Sequence, residues 1–180
     1  MKKIILTVFA ASSLLLYSTP SFAISLSVGV PIGASIKSDD GSEVADGASG
    51  YFLGVQLPFG LGLGMDSHKT KFKDDSTLKV ATSMYNLYYQ LPVPVVSLIL
   101  GLGTGNSNFD CPDQGWGTCA ENYDKGAATQ WYTSIGFPII PFFDIHLSYR
   151  SITSKNIKDP DGSKYDVSGT VTGIGLAFNF

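Results

Sequence analysis

Apolar residues occupy every second position in eight separate segments of the chain, and small or polar residues lie between them. The eight rows run from Leu26 to Ile32, Tyr51 to Leu57, Leu61 to Met65, Tyr85 to Leu91, Val96 to Leu102, Trp131 to Phe137, Phe143 to Tyr149 and Ile174 to Phe180. A strict period of two is the pattern of a β-strand, whose successive side chains point to opposite faces of the sheet. The pattern therefore predicts an all-β fold with eight strands, each with one apolar face.

The opposite face of these strands consists mainly of glycine, serine, amide side chains and a few charged residues. Glycine weakens a strand in water, but small side chains fit the crowded interior of a narrow barrel. Turning the apolar face outward into lipid and the small polar face inward gives the pattern of a transmembrane β-barrel. A soluble, lipocalin-like barrel is the alternative fold.

The connections between the predicted strands alternate in length. Those after the second, fourth and sixth strands are short and contain Pro58, then Pro92 and Pro94, then Pro138 and Pro141, and proline ends a strand because it lacks the N–H of the ladder. The other four, at about 36–49, 69–77, 105–126 and 153–166, are longer and polar. This alternation predicts an eight-stranded antiparallel up-and-down barrel with four extracellular loops and both ends of the chain at the short-turn rim.

Composition supports a membrane barrel of one domain. Only 15% of the 180 residues are charged while 44% are hydrophobic, yet after Ala23 no apolar run reaches the ~18 residues of a transmembrane helix. Aromatic residues form two groups at the strand ends, as expected at the two membrane interfaces. The groups are Phe59, Phe142, Phe143, Phe178 and Phe180 at the short-turn rim, and Tyr51, Tyr85, Trp131 and Tyr149 toward the loops.

Residues 1–23 have the organisation of a secretory signal peptide. Lys2 and Lys3 precede an apolar stretch, and Ser21-Phe22-Ala23 ends it with small residues at the positions that a signal peptidase inspects. Cleavage there predicts export to the periplasm and a barrel domain of residues 24–180. The net charge of −3 becomes −5 without the two lysines, which gives no reason to expect a nucleic acid as partner.

The last predicted strand resembles the C-terminal signal of bacterial outer-membrane proteins, in which apolar residues alternate and a phenylalanine is terminal. Leu176, Phe178 and Phe180 match it. The whole segment 24–180 resembles the small eight-stranded barrels of the OmpA/OmpX type, without the periplasmic domain that OmpA carries. The resemblance implies an integral outer-membrane protein in contact with lipid and lipopolysaccharide, and recognition of the last strand by the barrel-assembly machinery.

Two cysteines lie in the longest loop. Cys111 and Cys119 in an exported chain predict a disulfide bond. The loop has no further cysteine or histidine that would favour a metal site. Trp116 lies between them, and contact with an extracellular partner and packing against the loop itself are both open interpretations.

Five charged or titratable residues have inward parity, which means that they occupy the alternate strand positions predicted to face the lumen: Asp66, His68, Asp144, His146 and Arg150. The spacing Asp-x-His occurs twice among them. A luminal network that satisfies buried charges, with Arg150 paired to Asp144 or Asp66, is favoured over a proton-linked gate or a metal site, because an eight-stranded barrel is narrow enough to be filled by side chains. We expect no cofactor and no metal.

Two functions remain open at this point, with a third that is less favoured. The first is a non-enzymatic surface protein whose loops serve adhesion, shielding or envelope integrity, and the second is a narrow OmpW-like channel for small or apolar solutes. Inward side chains that can fill the lumen favour the first: Phe52, Met84, Tyr88, Ile99, Tyr132 and Arg150.

The third is a lipid A deacylase, because His146-Leu147-Ser148 resembles the His-x-Ser motif of PagL-type enzymes. That family places the motif on the lipid-facing surface and follows it with asparagine, whereas parity here places His146 and Ser148 inside and Tyr149 follows. A further row, Lys69, Lys71 and Lys73, is interpreted as a solvated rim, with lipopolysaccharide phosphates as its alternative partner.

Overall fold

A computed structural model describes residues 24–38, 41–73, 77–93, 95–111, 119, 123–155, 157–158 and 161–180. The predicted signal peptide, residues 1–23, and Trp116 lie outside the described residues. Within the ranges given, no helix is long and apolar enough to cross a membrane.

The described chain forms a closed antiparallel barrel with eight strand positions around its wall. Adjacent strands of the wall pair antiparallel, the last strand pairs with the first, and the second and third strands share one position because both pair with the first. The strands are β1 (Ser25–Ser38), β2 (Gly41–Val44), β3 (Ala48–Gln56), β4 (Leu61–Lys71), β5 (Lys79–Leu91), β6 (Ser97–Asp110), β7 (Gly126–Ile140), β8 (Phe143–Thr153), β9 (Ile157–Lys158), β10 (Lys164–Tyr165) and β11 (Gly169–Asn179). A tight turn at Pro58–Gly60 joins β3 to β4, and β9 and β10 form a separate hairpin. The predicted fold class is confirmed.

The apolar rows lie on the outer surface of this barrel. Tyr85 and Leu102 are the most exposed of them, at 69% and 70%, whereas the inward residue Met84 is 0% exposed. Two aromatic contacts join neighbouring strands on the outside, with ring centroids 5.7 Å apart for Trp131 and Tyr149 and 4.9 Å for Phe143 and Phe178. The predicted parity, apolar outward and small or polar inward, is thus found in the structure.

The strands extend further than the sequence pattern predicts. β6 continues to Asp110 and β5 begins at Lys79, so parts of the segments predicted as loops belong to the barrel wall. Pro138, predicted to end a strand, lies inside β7, where a register shift between Pro138 and Ile140 marks a bulge. A bulge accommodates proline because the residue has no N–H to contribute to the ladder.

The polarity of the two faces reverses toward the loops. On β6 the outward residue Asn108 is polar, while the inward residue Phe109 is buried at 7% exposure. On β5 Lys79 has outward parity and Val80 is buried. Buried residues at this end form an apolar cluster, which we call the loop-end core: Ile36, Val80, Phe109, Cys119, Ile157 and Val167. The wall here has the arrangement of a soluble protein, with apolar residues inside.

Candidate functional site: the luminal plug

An ion pair crosses the middle of the lumen. Arg150 Nε on β8 donates to Asp66 Oδ2 on β4 over 2.9 Å, and the two residues are 6% and 1% exposed. Three strand positions separate β4 from β8 in either direction around the wall, so the pair joins opposite sides of the barrel. A buried charge requires such a partner because it has left water.

Two amides extend this pair into a network. Gln130 Nε2 on β7 donates to the same Asp66 Oδ2 over 2.7 Å and also to Asn86 Oδ1 on β5. The Arg150 guanidinium donates in addition to Ser148 Oγ. Side chains from four strands, β4, β5, β7 and β8, therefore meet in one polar cluster.

Aromatic rings pack around the guanidinium. The Arg150 Cζ atom lies 3.5 Å from the centroid of the Phe52 ring and 5.0 Å from that of Tyr132, which are cation–π distances. We call the polar cluster and these two rings the luminal plug: Phe52, Asp66, Asn86, Gln130, Tyr132, Ser148 and Arg150. These side chains meet across the lumen.

Glycines on the wall make room for large inward side chains. A Cβ atom added at Gly101 would overlap the Tyr132 ring, and one at Gly62 or Gly136 would overlap Tyr88 or His146 respectively. Glycine fits at these positions because a ring from the neighbouring strand occupies the space that a larger side chain would need.

The two Asp-x-His pairs do not meet. His68, which is 2% exposed, lies edge-on to the Phe52 ring, with the ring centroids 6.1 Å apart. On the other side of the plug, Asp144 accepts a hydrogen bond of 3.1 Å from Ser97, and its Oδ2 lies 3.9 Å from His146 Nε2. Of the two partners predicted for Arg150, the structure brings Asp66 into contact. The described residues contain no group of three or more potential metal ligands.

A cavity of about 60 Å³ lies beside the plug on the side of Asp144 and His146. Its lining includes Ser27, Gly54, Tyr88, Ile99, Ser134 and His146. This volume accommodates on the order of two water molecules. The cavity beside the plug is therefore small.

His146 and Ser148 bond to different groups. Ser148 Oγ donates to the carbonyl oxygen of Gly173 over 3.3 Å, and His146 Nδ1 lies 3.3 Å from Ser134 Oγ. A serine nucleophile and its base share a hydrogen bond, and these two residues do not form one. Both face the lumen, so the likeness to the PagL-type motif does not extend to its lipid-facing position.

At the loop end, Cys111 and Cys119 form the predicted disulfide, with Cα atoms 5.3 Å apart. Three rings pack edge to face above the lumen: Phe109 and Tyr123 with centroids 5.1 Å apart, and Tyr165 at 5.9 Å from Phe109. The loop-end core is thus continuous with an aromatic cluster that the longest loop and the β9–β10 hairpin supply.

The outer wall below this cluster carries lysines. Lys69 forms an ion pair of 2.6 Å with Asp110. Lys71 on β4 is in register directly opposite Lys79 on β5. Within the described residues, neither Lys71 nor Lys79 forms an ion pair with a carboxylate.

Sequence reasoning missed Asn86 and Gln130 as members of the plug. Both have inward parity on their strands, and this was the available signal. Their meeting with Asp66 depends on how strands face each other across the lumen, which the order of residues along one strand does not reveal.

Comparison with solved structures identifies the fold. Neisserial surface protein A (NspA) superimposes with a TM-score of 0.67 at 14% identity, covering 89% of this chain and 97% of that one. The N-terminal β-barrel domain of Pseudomonas aeruginosa OprF gives a TM-score of 0.55 at 11% identity, covering 90% and 100%. No protein-family model matches the sequence, and no curated protein matches it significantly. The chain has the fold of the small eight-stranded outer-membrane β-barrels.

Proposed function

We propose that this protein is an integral bacterial outer-membrane barrel that does not conduct, is not an enzyme, and holds a folded loop structure at the cell surface for adhesion, shielding or envelope integrity. The observation that carries the proposal is the Arg150–Asp66 ion pair across the lumen. The exposed apolar rows around the wall support placement in lipid. The likeness to the solved outer-membrane barrels supports the same location.

The lumen is closed at two heights in series. A continuous water path would require Arg150 to leave Asp66, and a buried charge left without its partner costs about 3–5 kcal/mol. Above the plug, the loop-end core fills the same axis with apolar side chains. Both closures would have to open together for a solute to pass.

Conductance in planar lipid bilayers tests the proposal. We expect the natural protein to insert without current steps. A variant with Phe52→Gly, Asp66→Ser, Arg150→Ser and Phe109→Ser removes material from both closures, and current from it shows that the assay detects this barrel when it is open. Steady single-channel steps from the natural protein would contradict the proposal and favour the narrow channel.

We also propose that the outward lysines Lys69, Lys71 and Lys79 bind lipopolysaccharide phosphates in the outer leaflet. They lie above the outward ring of Tyr85, where lipid headgroups meet the wall. Like charges directly opposite each other destabilise a sheet, so an anion between Lys71 and Lys79 would relieve their repulsion.

Binding of purified lipopolysaccharide to the detergent-solubilised barrel at several salt concentrations tests this contact. The variant Lys71→Gln/Lys79→Gln should bind more weakly and with a shallower salt dependence. A matched control is Lys158→Gln/Lys164→Gln, which removes an equally charged, directly opposed lysine pair from the β9–β10 hairpin. Equal losses in both variants would show that general charge, rather than this surface, accounts for binding.

Recognition of the last strand by the barrel-assembly machinery is likewise a proposal. Leu176, Phe178 and Phe180 are exposed along the outside of β11 and beyond its end, so their side chains are accessible from the lipid side.

A further inference from the structure

The three turns of the short-turn rim share an unusual backbone conformation. Phe59, Val95 and Phe142 each have φ of 77°, and they are the non-glycine residues with positive φ in the described part of the chain. With ψ of 10°, Phe59 follows Pro58 as the third residue of a type II turn, a position that normally requires glycine. The left-handed conformation costs an ordinary residue about 1–2 kcal/mol. All three turns therefore retain an apolar side chain where glycine would relieve strain.

These side chains point away from the barrel. Phe59 is 66% exposed, Val95 84% and Phe142 63%. The residues flanking them in the turns are exposed and apolar as well: Leu57, Leu61, Val93, Ile139, Ile140 and Phe143. Contact with water therefore does not explain why the three turns carry apolar side chains.

Charged side chains are missing from the three turns. The sequence has no Asp, Glu, Lys or Arg in residues 53–65, 91–109 or 126–143, which contain the three turns. Turns that face water use glycine, asparagine, aspartate and serine, because these residues adopt the turn conformation or hydrogen-bond within it. The four connections at the opposite end of the barrel are rich in such residues.

The height of the apolar surface points to the same environment. A strand tilted as in outer-membrane barrels rises about 2.6 Å per residue along the barrel axis, and the apolar band of such barrels is about 25 Å tall. The outward apolar run of β5, from Tyr85 to Leu91, accounts for about 16 Å on this scale. Extending it through Val93 gives about 21 Å. On this strand the apolar run falls short of the band, and the turn supplies part of the missing length.

We propose that the three turns are membrane anchors that lie at the periplasmic interface and insert the side chains of Phe59, Val95 and Phe142 among the phospholipid acyl chains. The apolar outer surface of the wall continues into the turns. On either side of the first turn, the exposed residues Leu57 and Leu61 connect the two surfaces. Burial of the three side chains in hydrocarbon offsets the strain of their backbone. This inference rests on the proposed function, because it assumes a barrel that spans the outer membrane.

Tryptophan fluorescence in phospholipid vesicles with brominated acyl chains tests the inference. In a background of Trp116→Phe/Trp131→Phe, a single tryptophan is introduced as Phe59→Trp, Val95→Trp or Phe142→Trp. We expect blue-shifted emission and quenching by bromine at all three positions, several-fold stronger than for Ser163→Trp, an exposed position at the loop end.

A fourth variant separates the two proposals. Leu87→Trp, at the centre of the apolar band, should be quenched in any barrel that spans the bilayer, and its failure to be quenched would contradict the proposed function. Quenching at Leu87→Trp together with water-like emission from the three turns would overturn the anchor inference alone. The turns would then be surfaces that a periplasmic protein covers.

Discussion

The luminal plug and the loop-end core fill the interior of the same barrel, one above the other, with opposite kinds of side chain. In the plug, an ion pair and two amides meet on a wall of glycine and serine. In the loop-end core, the interior is apolar and completed by aromatic rings. One strand, β5, contributes to both regions, with Asn86 in the plug and Val80 in the loop-end core.

The surroundings of the wall explain the difference. Where the wall faces lipid, its outer side must be apolar, and alternation leaves the inner side to small and polar residues that satisfy one another. Where the strands rise above the lipid, water is outside and the apolar residues turn inward. In the proposed placement, the reversal of polarity along β6, between Leu102 and Asn108 on the outer face, marks the membrane boundary.

The largest expected effect concerns the plug. Arg150→Met should lower the free energy of unfolding by about 3–5 kcal/mol, because Asp66 remains buried without its cation. Denaturant unfolding of the barrel refolded in phospholipid vesicles measures this change. The double variant Arg150→Met/Asp66→Asn should recover most of the loss, and a double variant as unstable as the sum of the single changes would show that the ion pair is not what holds the plug.

A smaller and more local effect is expected in the loop-end core. Ile157→Ala leaves a cavity at a residue that is 0% exposed, and such changes cost about 2–5 kcal/mol in apolar cores. Because the core lies above the lipid, we expect faster proteolysis of the loop end while the membrane-embedded strands stay folded. Lys158→Ala, at the exposed neighbouring residue, is the matched control. Loss of the entire barrel in Ile157→Ala would mean that the two regions unfold as one unit.

The smallest expected effect on stability concerns a polar contact at the loop end, which is exposed, whereas the polar contacts of the plug are buried. Partial burial alone would raise the pKa of Asp166, but the hydrogen bonds from Ser168 and the charges of Lys155 and Lys37 outweigh it, so the pKa is lowered. The carboxylate therefore stabilises the folded loop above the ordinary aspartate pKa, and this contribution disappears as the pH falls through the lowered value. Since Asp166 is exposed, Asp166→Asn should cost less than about 1 kcal/mol at neutral pH.

Hydrogen exchange at the backbone N–H of Ser168, which donates to Asp166 Oδ1 over 2.9 Å, measures this contribution. The natural protein and Asp166→Asn should differ at neutral pH and converge in acid. A difference that persists below the folded-state pKa would assign the effect to the amide side chain rather than to the charge.

Much of the barrel could be predicted from the sequence because lipid imposes a strict pattern. Every second residue of each strand must be apolar over the membrane, so the positions of Leu87, Leu102 and Leu147 define their strands and faces. The same parity identifies Asp66 and Arg150 as inward residues. Their pairing across the lumen could not be derived, since it depends on the tilt and stagger of strands that are distant in sequence.

The loop-end core was missed for a different reason. Ile36 and Phe109 lie in segments predicted as polar loops, because the prediction carried one parity along the whole chain. Above the lipid the apolar residues of a strand face inward instead of outward. Isolated apolar residues among asparagine and serine in these segments were the signal of this reversal. Trp116 and the signal peptide lie outside the described residues, and their roles remain predictions.

Pairing of the first and last strands has a consequence for how the chain acquires its fold. β1 and β11 join residues that are far apart in sequence, such as Ser35 and Thr170, whose hydroxyl groups lie 2.7 Å apart. Such a contact has high contact order, and the entropy of closing so long a segment must be overcome before the seam forms. Until then both seam strands present unpaired N–H and C=O groups, which hydrocarbon does not tolerate. Insertion and closure must therefore proceed together, with the seam as the last step.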